Sequence, residues 1–517
     1  MEIATMTHFV DFTNSLTGLV ASSEPVSAGV TALFALLLVG LITCLALEEK
    51  IHAKKSVIAG GFAVICLLLG TVFEILPFGE VVVGSHGVEV EQAAEEGTGG
   101  AEESADTDAS GEEHAEGAHG EETHLGGHEI SMPVYIPAID WGVIAIILGS
   151  SLFVDITSKS GLFTWIAIKV TKATGGDPLK LLAAYGLMTV VFSAVLNNVT
   201  AMIIVGSLTA VSLDKLNRSN LLLGFLLVEG LLTNIGGLLT LISSVPNIIV
   251  GTEAGISFAK FFQCAAPYVV VATIVTIWMG SWMYGIRRLK TKEEKEEAAK
   301  LVSSFDENDG IESRGFFWFG AAMLIAFIAT IATTSQLPYI SKLEMGFVAL
   351  AFAAIMLLRY KSTADQFYKA LDWDLIGFFM ALFVVINVME HAAVLDAIGI
   401  ALEKVIGLGP TAGTGLILVA SAAFSSVTDN IPLAAMLAKI LGGLGTDPES
   451  PLWWSVVFGA NLGGNITPIG SASTLVAVTI IHKYKLPLSF GGFVKTALPF
   501  ALIQIAIALI YVLLVLS

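Results

Sequence analysis

Apolar runs of about 20 residues recur along the chain, at 27–47, 56–77, 138–157, 181–210, 221–250, 264–286, 316–335, 344–358, 375–400, 412–441, 452–481 and 493–516. Wound as an α-helix, such a run reaches about 30 Å, the thickness of a bilayer's hydrocarbon core. The pattern predicts an all-α polytopic membrane protein with roughly ten to twelve hydrophobic segments. The first 23 residues depart from it. They hold Asp11 and Asn14 and lack the basic start and small-residue cleavage site of a signal peptide, so they read as a polar or amphipathic lead-in.

Composition agrees with the pattern: 55% of residues are hydrophobic and 14% charged, more apolar surface than a soluble fold can bury. The net charge of −19 has a local source, since residues 78–130 hold fifteen acidic side chains and no Lys or Arg. That stretch buries too little apolar area to fold and is expected to be a disordered loop over 78–132. Five of the nine histidines fall there: His86, His114, His119, His124 and His128. Their irregular spacing favours a solvated loop over a metal-gathering or pH-sensing tether. Cys44, Cys66 and Cys264 lie far apart in or beside apolar runs and read as inert filling.

Basic residues at Lys50, Lys54 and Lys55, at Lys169, Lys172 and Lys180, at Lys215 and Arg218, from Arg287 onward, at Arg359 and Lys361, and at Lys483 and Lys485 mark cytoplasmic ends. The 78–132 loop then lies on the extracytoplasmic side of a multi-pass protein, in a bacterial inner membrane. Residues 287–315 form a cytoplasmic linker between two halves, 24–286 and 316–517. The halves repeat one another. IDW at Ile139–Trp141 returns as LDW at Leu371–Trp373, and FSAVLNNV at 192–199 returns as FSSVTDNI at 424–431, both 232 residues on. NIGGLLTLISS from Asn234 matches NLGGNITPIGS from Asn461, 227 residues on. The charge map places IDW at the outer face and LDW at the inner one, so the repeats are inverted. One fold used twice in opposite directions offers mirror-related openings to one midplane site, the arrangement of secondary transporters.

Adjacent polar residues interrupt a long apolar run in each half, at Asn197 and Asn198 and at Asp429 and Asn430. If the run is a re-entrant helical hairpin, the polar pair and Thr200 sit at its tip, where unwound backbone can offer carbonyls to a cation. Thr233, Asn234, Gly236 and Gly237 in one half, and Asn461, Gly463, Gly464, Asn465 and Thr467 in the other, suggest a broken helix with oxygen ligands for Na⁺ beside the break. Close packing of helices on the glycines is the competing explanation.

Together, IDWGVIAIILG, FSAVLNNVTAMIIV and TNIGGLLTLISSVPNIIVG, then DWDLIGFFMALFVV, FSSVTDNIPLAAM and NLGGNITPIGSAS, resemble the ion-transporter superfamily. The nearest branch holds arsenite permeases, NhaD-type sodium–proton antiporters and the melanosomal P protein, and it is related to divalent anion:sodium symporters. The resemblance covers 27–517 apart from the acidic loop and the linker. It implies an elevator-type carrier, dimeric, with a scaffold and a transport domain that holds both hairpins and both broken helices. It implies no cofactor beyond Na⁺ as coupling or transported ion, bound near Asn198, Asn234, Asp429, Asn430 and Asn465. Two departures leave the first half poor in acid: Asn197 stands where relatives lead one to expect Asp, and Ser243-Ser244 where they often have Gly-Asp.

An antiporter needs a carboxylate that holds Na⁺ or H⁺ in turn, and Asp429 is the first candidate, unless it merely caps its helix. Further proton-coupling candidates are Asp155, which Lys159 one turn on could neutralise, Glu229, Glu390 and His391. The alternative substrate is a small anion, a dicarboxylate, citrate or arsenite. Against it, an ionised Asp429 about 4 Å from an anion costs roughly 4 kcal/mol per charge at an effective dielectric near 20. No HExxH, GxSxG or CxxC occurs, which argues against an enzyme. The partners expected are the bilayer, Na⁺ with H⁺ or a small anion, and a second copy, with no nucleic acid.

Overall fold

A computed structural model describes residues 26–76, 80–83, 128–308 and 310–516. In lipid every backbone polar group needs a partner within the chain, and the apolar runs accordingly fold as helices. Nine of the described helices are long and apolar enough to cross a membrane. The runs at 181–210, 221–250, 412–441 and 452–481 are each divided between two helices, so that the segments number more than the spans.

The first half opens with α1 (Ala28–Ala46), the short α2 (Glu48–Ile51) and α3 (Lys55–Val72). It continues with α4 (Trp141–Ser158), α5 (Leu162–Thr174), the hairpin α6 (Pro178–Val195) and α7 (Asn198–Lys215), the interrupted pair α8 (Leu222–Gly236) and α9 (Val245–Glu253), and α10 (Phe258–Met283). After α11 (Lys292–Ser303) the second half brings α12 (Arg314–Ala332), α13 (Glu344–Leu357), the short α14 (Asp365–Ala370) and α15 (Trp373–His391). Then come α16 (Val394–Ile406), the hairpin α17 (Pro410–Ser425) and α18 (Asn430–Gly443), the interrupted pair α19 (Pro451–Gly463) and α20 (Ala472–Lys483), and α21 (Phe490–Val515).

The local chemistry of helix starts is duplicated. Asp140 caps α4 by accepting from Val143 N at 2.9 Å, and Asp372 caps α15 by accepting from Leu375 N at 3.0 Å. The IDW and LDW motifs are therefore helix N-caps. Pro178 and Pro410 occupy the first turns of α6 and α17, and Ser257 and Ser489 cap two 26-residue helices with an internal proline, Pro267 and Pro499. Gly161 before α5 and Ala393 before α16 are both left-handed, with φ of 79° and 56°. Alanine tolerates that region poorly, so the turn geometry is held by its surroundings.

Packing exchanges the halves. Helix α4 packs on α13 and α15 on α3, while α9 packs on α18 and α20 on α7. Helices α8 and α19 are buried nearly all round, whereas α1, α3, α12 and α21 bury 22–28% of their apolar windows and leave the rest for lipid. The linker is more ordered than a plain connector. Thr291 and Glu294 close a capping box on α11, and Leu289 N donates to Asp177 Oδ2 at 2.9 Å. Glu307 takes Lys169 at 2.8 Å and also Lys172, both on α5. Hydrogen bonds from the two lysines push its carboxyl from 4.5 down to about 2.

Residues 76–138 form a separate unit, in which β1 (Glu80–Val83) pairs antiparallel with β2 (His128–Ser131), Glu80 opposite Ser131. The ends of the acidic stretch are thus paired strands and not the disordered chain expected, because the three consecutive valines of β1 are β-branched and favour an extended ladder. Residues 84–127, with His86, His114, His119 and His124, and the lead-in up to residue 25 lie outside the described residues.

Candidate functional site

Asn198 of the first hairpin tip, the end of α17 and both helix interruptions meet in a buried junction of amides and hydroxyls. Asn234, near the end of α8, donates from Nδ2 to Asn465 Oδ1 at 2.8 Å and accepts at Oδ1 from Ser471 at 2.8 Å and Ser473 at 3.1 Å. Asn461, near the end of α19, accepts at Oδ1 from Ser244 at 2.8 Å and donates from Nδ2 to Asn247 Oδ1 at 2.9 Å. Ser244 and Ser471 directly precede α9 and α20. Each serine therefore bonds to the asparagine that closes the leading segment in the opposite half.

Other bonds tie each hairpin to its own interrupted helix. Ser193 Oγ donates to Thr233 O at 2.7 Å and Ser425 Oγ to Ala460 O at 2.6 Å. Thr240 Oγ1 donates to Ala194 O at 2.6 Å and Thr467 Oγ1 to Ser426 O at 2.5 Å. The network extends from Asn465 Nδ2 to Gln504 Oε1 at 2.8 Å and from Gln504 Nε2 to Thr276 Oγ1 at 2.9 Å. Four helices end here and four begin, bringing partial negative and positive charge to one place.

The glycine pairs work by size. Gly237 and Gly464 have φ of −60°, which any residue adopts, so conformational freedom is not what they supply. A Cβ on Gly236 would lie 2.6 Å from Val190 O, and one on Gly463 2.3 Å from Ala422 O, which is the close packing of hairpin on broken helix. A Cβ on Gly237 would lie 2.7 Å from the Asn198 amide, so this glycine opens room for the tip residue.

The two tips differ. Asn197 Oδ1 caps α7 by accepting from Thr200 N at 2.7 Å, and its side chain is otherwise exposed. Asn198 turns inward, its Oδ1 lying 2.5 Å from Ser193 Oγ and its Nδ2 reaching Asn234 Oδ1 at 3.5 Å. At the second tip, Asp429 Oδ1 caps α18 by accepting from Ile431 N at 3.1 Å, and Oδ2 takes Lys55 Nζ at 2.5 Å. Lys55 begins α3 in the other half and also approaches Glu48 at 3.9 Å.

The sequence profile of the citrate transporter family matches residues 125–459. The chain belongs to that family. An uncharacterized transporter of Mycobacterium bovis is 30% identical over 379 residues, 72% of this chain and 86% of the relative. The mouse P protein is 25% identical over 463 residues, which cover 75% of this chain and 55% of that longer protein. The YdaH transporter of Alcanivorax borkumensis superposes with a TM-score of 0.54 at 12% identity over 89% of this chain and 98% of that one. MtrF of Neisseria gonorrhoeae, described within a class of antimetabolite efflux pumps, gives 0.51 at 12% identity over 90% and 95%. The citrate transporter family and these folds make the chain an integral multi-pass membrane transporter.

In this family member the residues picked out beforehand fall into two groups. Asn198, Thr233, Asn234, Asn461, Asn465 and Thr467 join the junction, with Thr233 through its carbonyl. Asp429 does not share a hydrogen bond with Asn198, Asn234 or Asn465, because a lysine occupies it, and Asn430 is half-buried without a hydrogen bond among the described residues. Thr200 serves through its backbone N–H. Asp155 is half-buried in α4, and no ion pair with Lys159 forms, since Lys159 is exposed past the helix end. Glu390 and His391 end α15; Glu390 lines a cavity of about 250 Å³ with Asp396, Glu403 and Lys439, none of them part of the junction. Sequence reading noted Ser244 only as a departure from relatives, and it missed Ser193, Ser471, Asn247, Gln504 and Lys55 as site residues. Ser193, Ser244, Ser471 and Asn247 lie within or beside the repeated motifs, and Gln504 is an amide inside the apolar run of α21, so these carried a signal.

Proposed function

We propose that the protein is a sodium–proton antiporter working by alternating access through two inverted repeats. The observation that supports this most is the crossed Ser–Asn junction: buried, uncharged oxygen donors with both halves contributing equivalently, and hard cations favour such oxygens. Na⁺ would use oxygens of Asn198, Asn234 and Asn465, with Asp429 and Asn430 at the second tip completing the site when Lys55 lets go. The lipid-facing α1, α3 and α12 suit a scaffold, and the hairpins with the broken helices suit a moving domain, in a homodimer of the bacterial inner membrane with the 78–132 segment outside.

One observation favours a second reading, a carrier of a small anion such as a dicarboxylate, citrate or arsenite. The Lys55–Asp429 pair cancels the tip charge that would repel an anion, and the helix N-termini of α7, α9, α18 and α20 can receive one. Reconstitution into proteoliposomes with an internal pH dye separates the two. Proton movement on adding Na⁺ or Li⁺ alone is the expected result; a strict requirement for succinate, citrate or arsenite sinks the antiport reading.

A further inference from the structure

Two acidic side chains among the described residues are buried, Asp177 at 5% and Glu229 at 0% exposure. Asp177 is fully occupied, by Leu179 N and Lys180 N at 3.1 Å each and Leu289 N at 2.9 Å. Glu229 is not. Thr209 Oγ1 donates to its Oε1 at 2.6 Å, and Oε2 has no hydrogen-bond partner. It forms no salt bridge among the described residues. Tyr185 faces it from α6, hydrogen-bonded at 2.7 Å to both Thr171 and Ser212. Lys180, Asp214, Lys215, Lys260, His482 and Lys483, on the helices packed around α8, are exposed at helix ends. Glu229 Oε2 therefore lies bare in an apolar interior, an oxygen with room to carry a proton. The second half has nothing equivalent: Val456, Leu441 and Ile417 stand at the positions matching Glu229, Thr209 and Tyr185.

We propose that Glu229 is the proton carrier, a site separate from Asp429 and buried in the first half. The inference rests on the antiport reading. Glu229 precedes Asn234 by five residues, about 7.5 Å of helical rise. Na⁺ arriving at the Asn234 oxygen favours the carboxylate by its charge, the O–H bond of Glu229 breaks, and the proton leaves to water. When Na⁺ departs, a proton from the other side rejoins the carboxylate. Charge is conserved, one H⁺ for one Na⁺ at this site.

Infrared difference spectroscopy of the purified full chain at neutral pH, with NaCl exchanged against choline chloride, reads this step directly. The wild type should show a protonated-carboxyl band that falls on adding Na⁺, and Glu229→Gln should lack it. Thr209→Val, which removes the hydrogen bond and keeps the acid, should shift the same band, and it serves if Glu229→Gln does not fold. No band in the wild type, or an unchanged band in Glu229→Gln, overturns the assignment. A wild-type band that ignores Na⁺ but falls on adding citrate overturns the antiport reading while keeping Glu229 as the proton carrier of an anion symporter.

Discussion

Asn197 and Asp429 occupy equivalent hairpin tips, and each accepts a backbone N–H at the start of the following helix, yet they stand in different electrostatic settings. The first tip is neutral and exposed. The second carries an acid side chain, half-buried and held by Lys55 from the opposite half. Capping requires an oxygen and not a charge, so amide and carboxylate are interchangeable for the backbone. The acid of the first half sits elsewhere, in Glu229 inside α8. The halves share a set of caps and breaks but differ in where their acids stand, so charge at the tips can change without changing the backbone.

The largest effect should come from making the tips alike. Asp429→Asn leaves the half-buried Lys55 with only Glu48, at 3.9 Å, and should destabilise by about 2–3 kcal/mol. Na⁺-linked proton exchange should fall about 10- to 100-fold with loss of a charged ligand. Adding Lys55→Met to Asp429→Asn should restore most of the stability, measured by denaturant unfolding in detergent, without restoring exchange. Recovery of both would mean that Asp429 only neutralises the lysine.

A smaller effect tests whether the junction is equivalent in both halves. Asn234→Ala and Asn461→Ala each strand a buried serine and a buried amide partner, so each should cost about 2–3 kcal/mol, with the two values within about 1 kcal/mol of each other. A loss confined to one of them would show that the matched bonds do unequal work. The smallest effect lies where the halves are joined. Glu307→Gln removes contacts to the exposed Lys169 and the half-buried Lys172 and should raise hydrogen exchange of α11 by at most about five-fold, with transport unchanged. In the wild type the same protection should hold above pH 4.5 and fade as pH falls toward 2, because the folded carboxyl is shifted down. Protection that is lost already near pH 6 would point to another group.

Sequence patterning revealed the duplicated order of elements, since apolar length, the Asp caps and the matched motifs are local properties. The junction was half visible: Asn234 and Asn461 stand out as amides in apolar runs. The crossing of Ser244 to Asn461 and of Ser471 to Asn234 was hidden, because those residues are more than 200 positions apart and a single chain records no contact. Lys55 was hidden for a related reason. As one of several basic residues at a helix start it reads as an interfacial charge, and only the packing of α3 on α15 brings it near the second tip. The glycine pairs were legible as a break or as close packing, and the structure shows both at once: the helices end at Gly236 and Gly463, where the hairpin leaves no room for a side chain.

The serine–asparagine exchange also dictates an order of construction. The ribosome makes Asn234 and Ser244 first, and at about 5–20 residues per second it needs roughly 11–45 s to reach Asn461 and Ser471. Throughout that interval the first half is in the insertion machinery or the bilayer with its central amide and hydroxyl lacking their final partners. Neither half can finish its own centre. Completion of the first-made half is thus an event of the last-made one, and a chain severed within 287–315 can mature only where both pieces share a membrane.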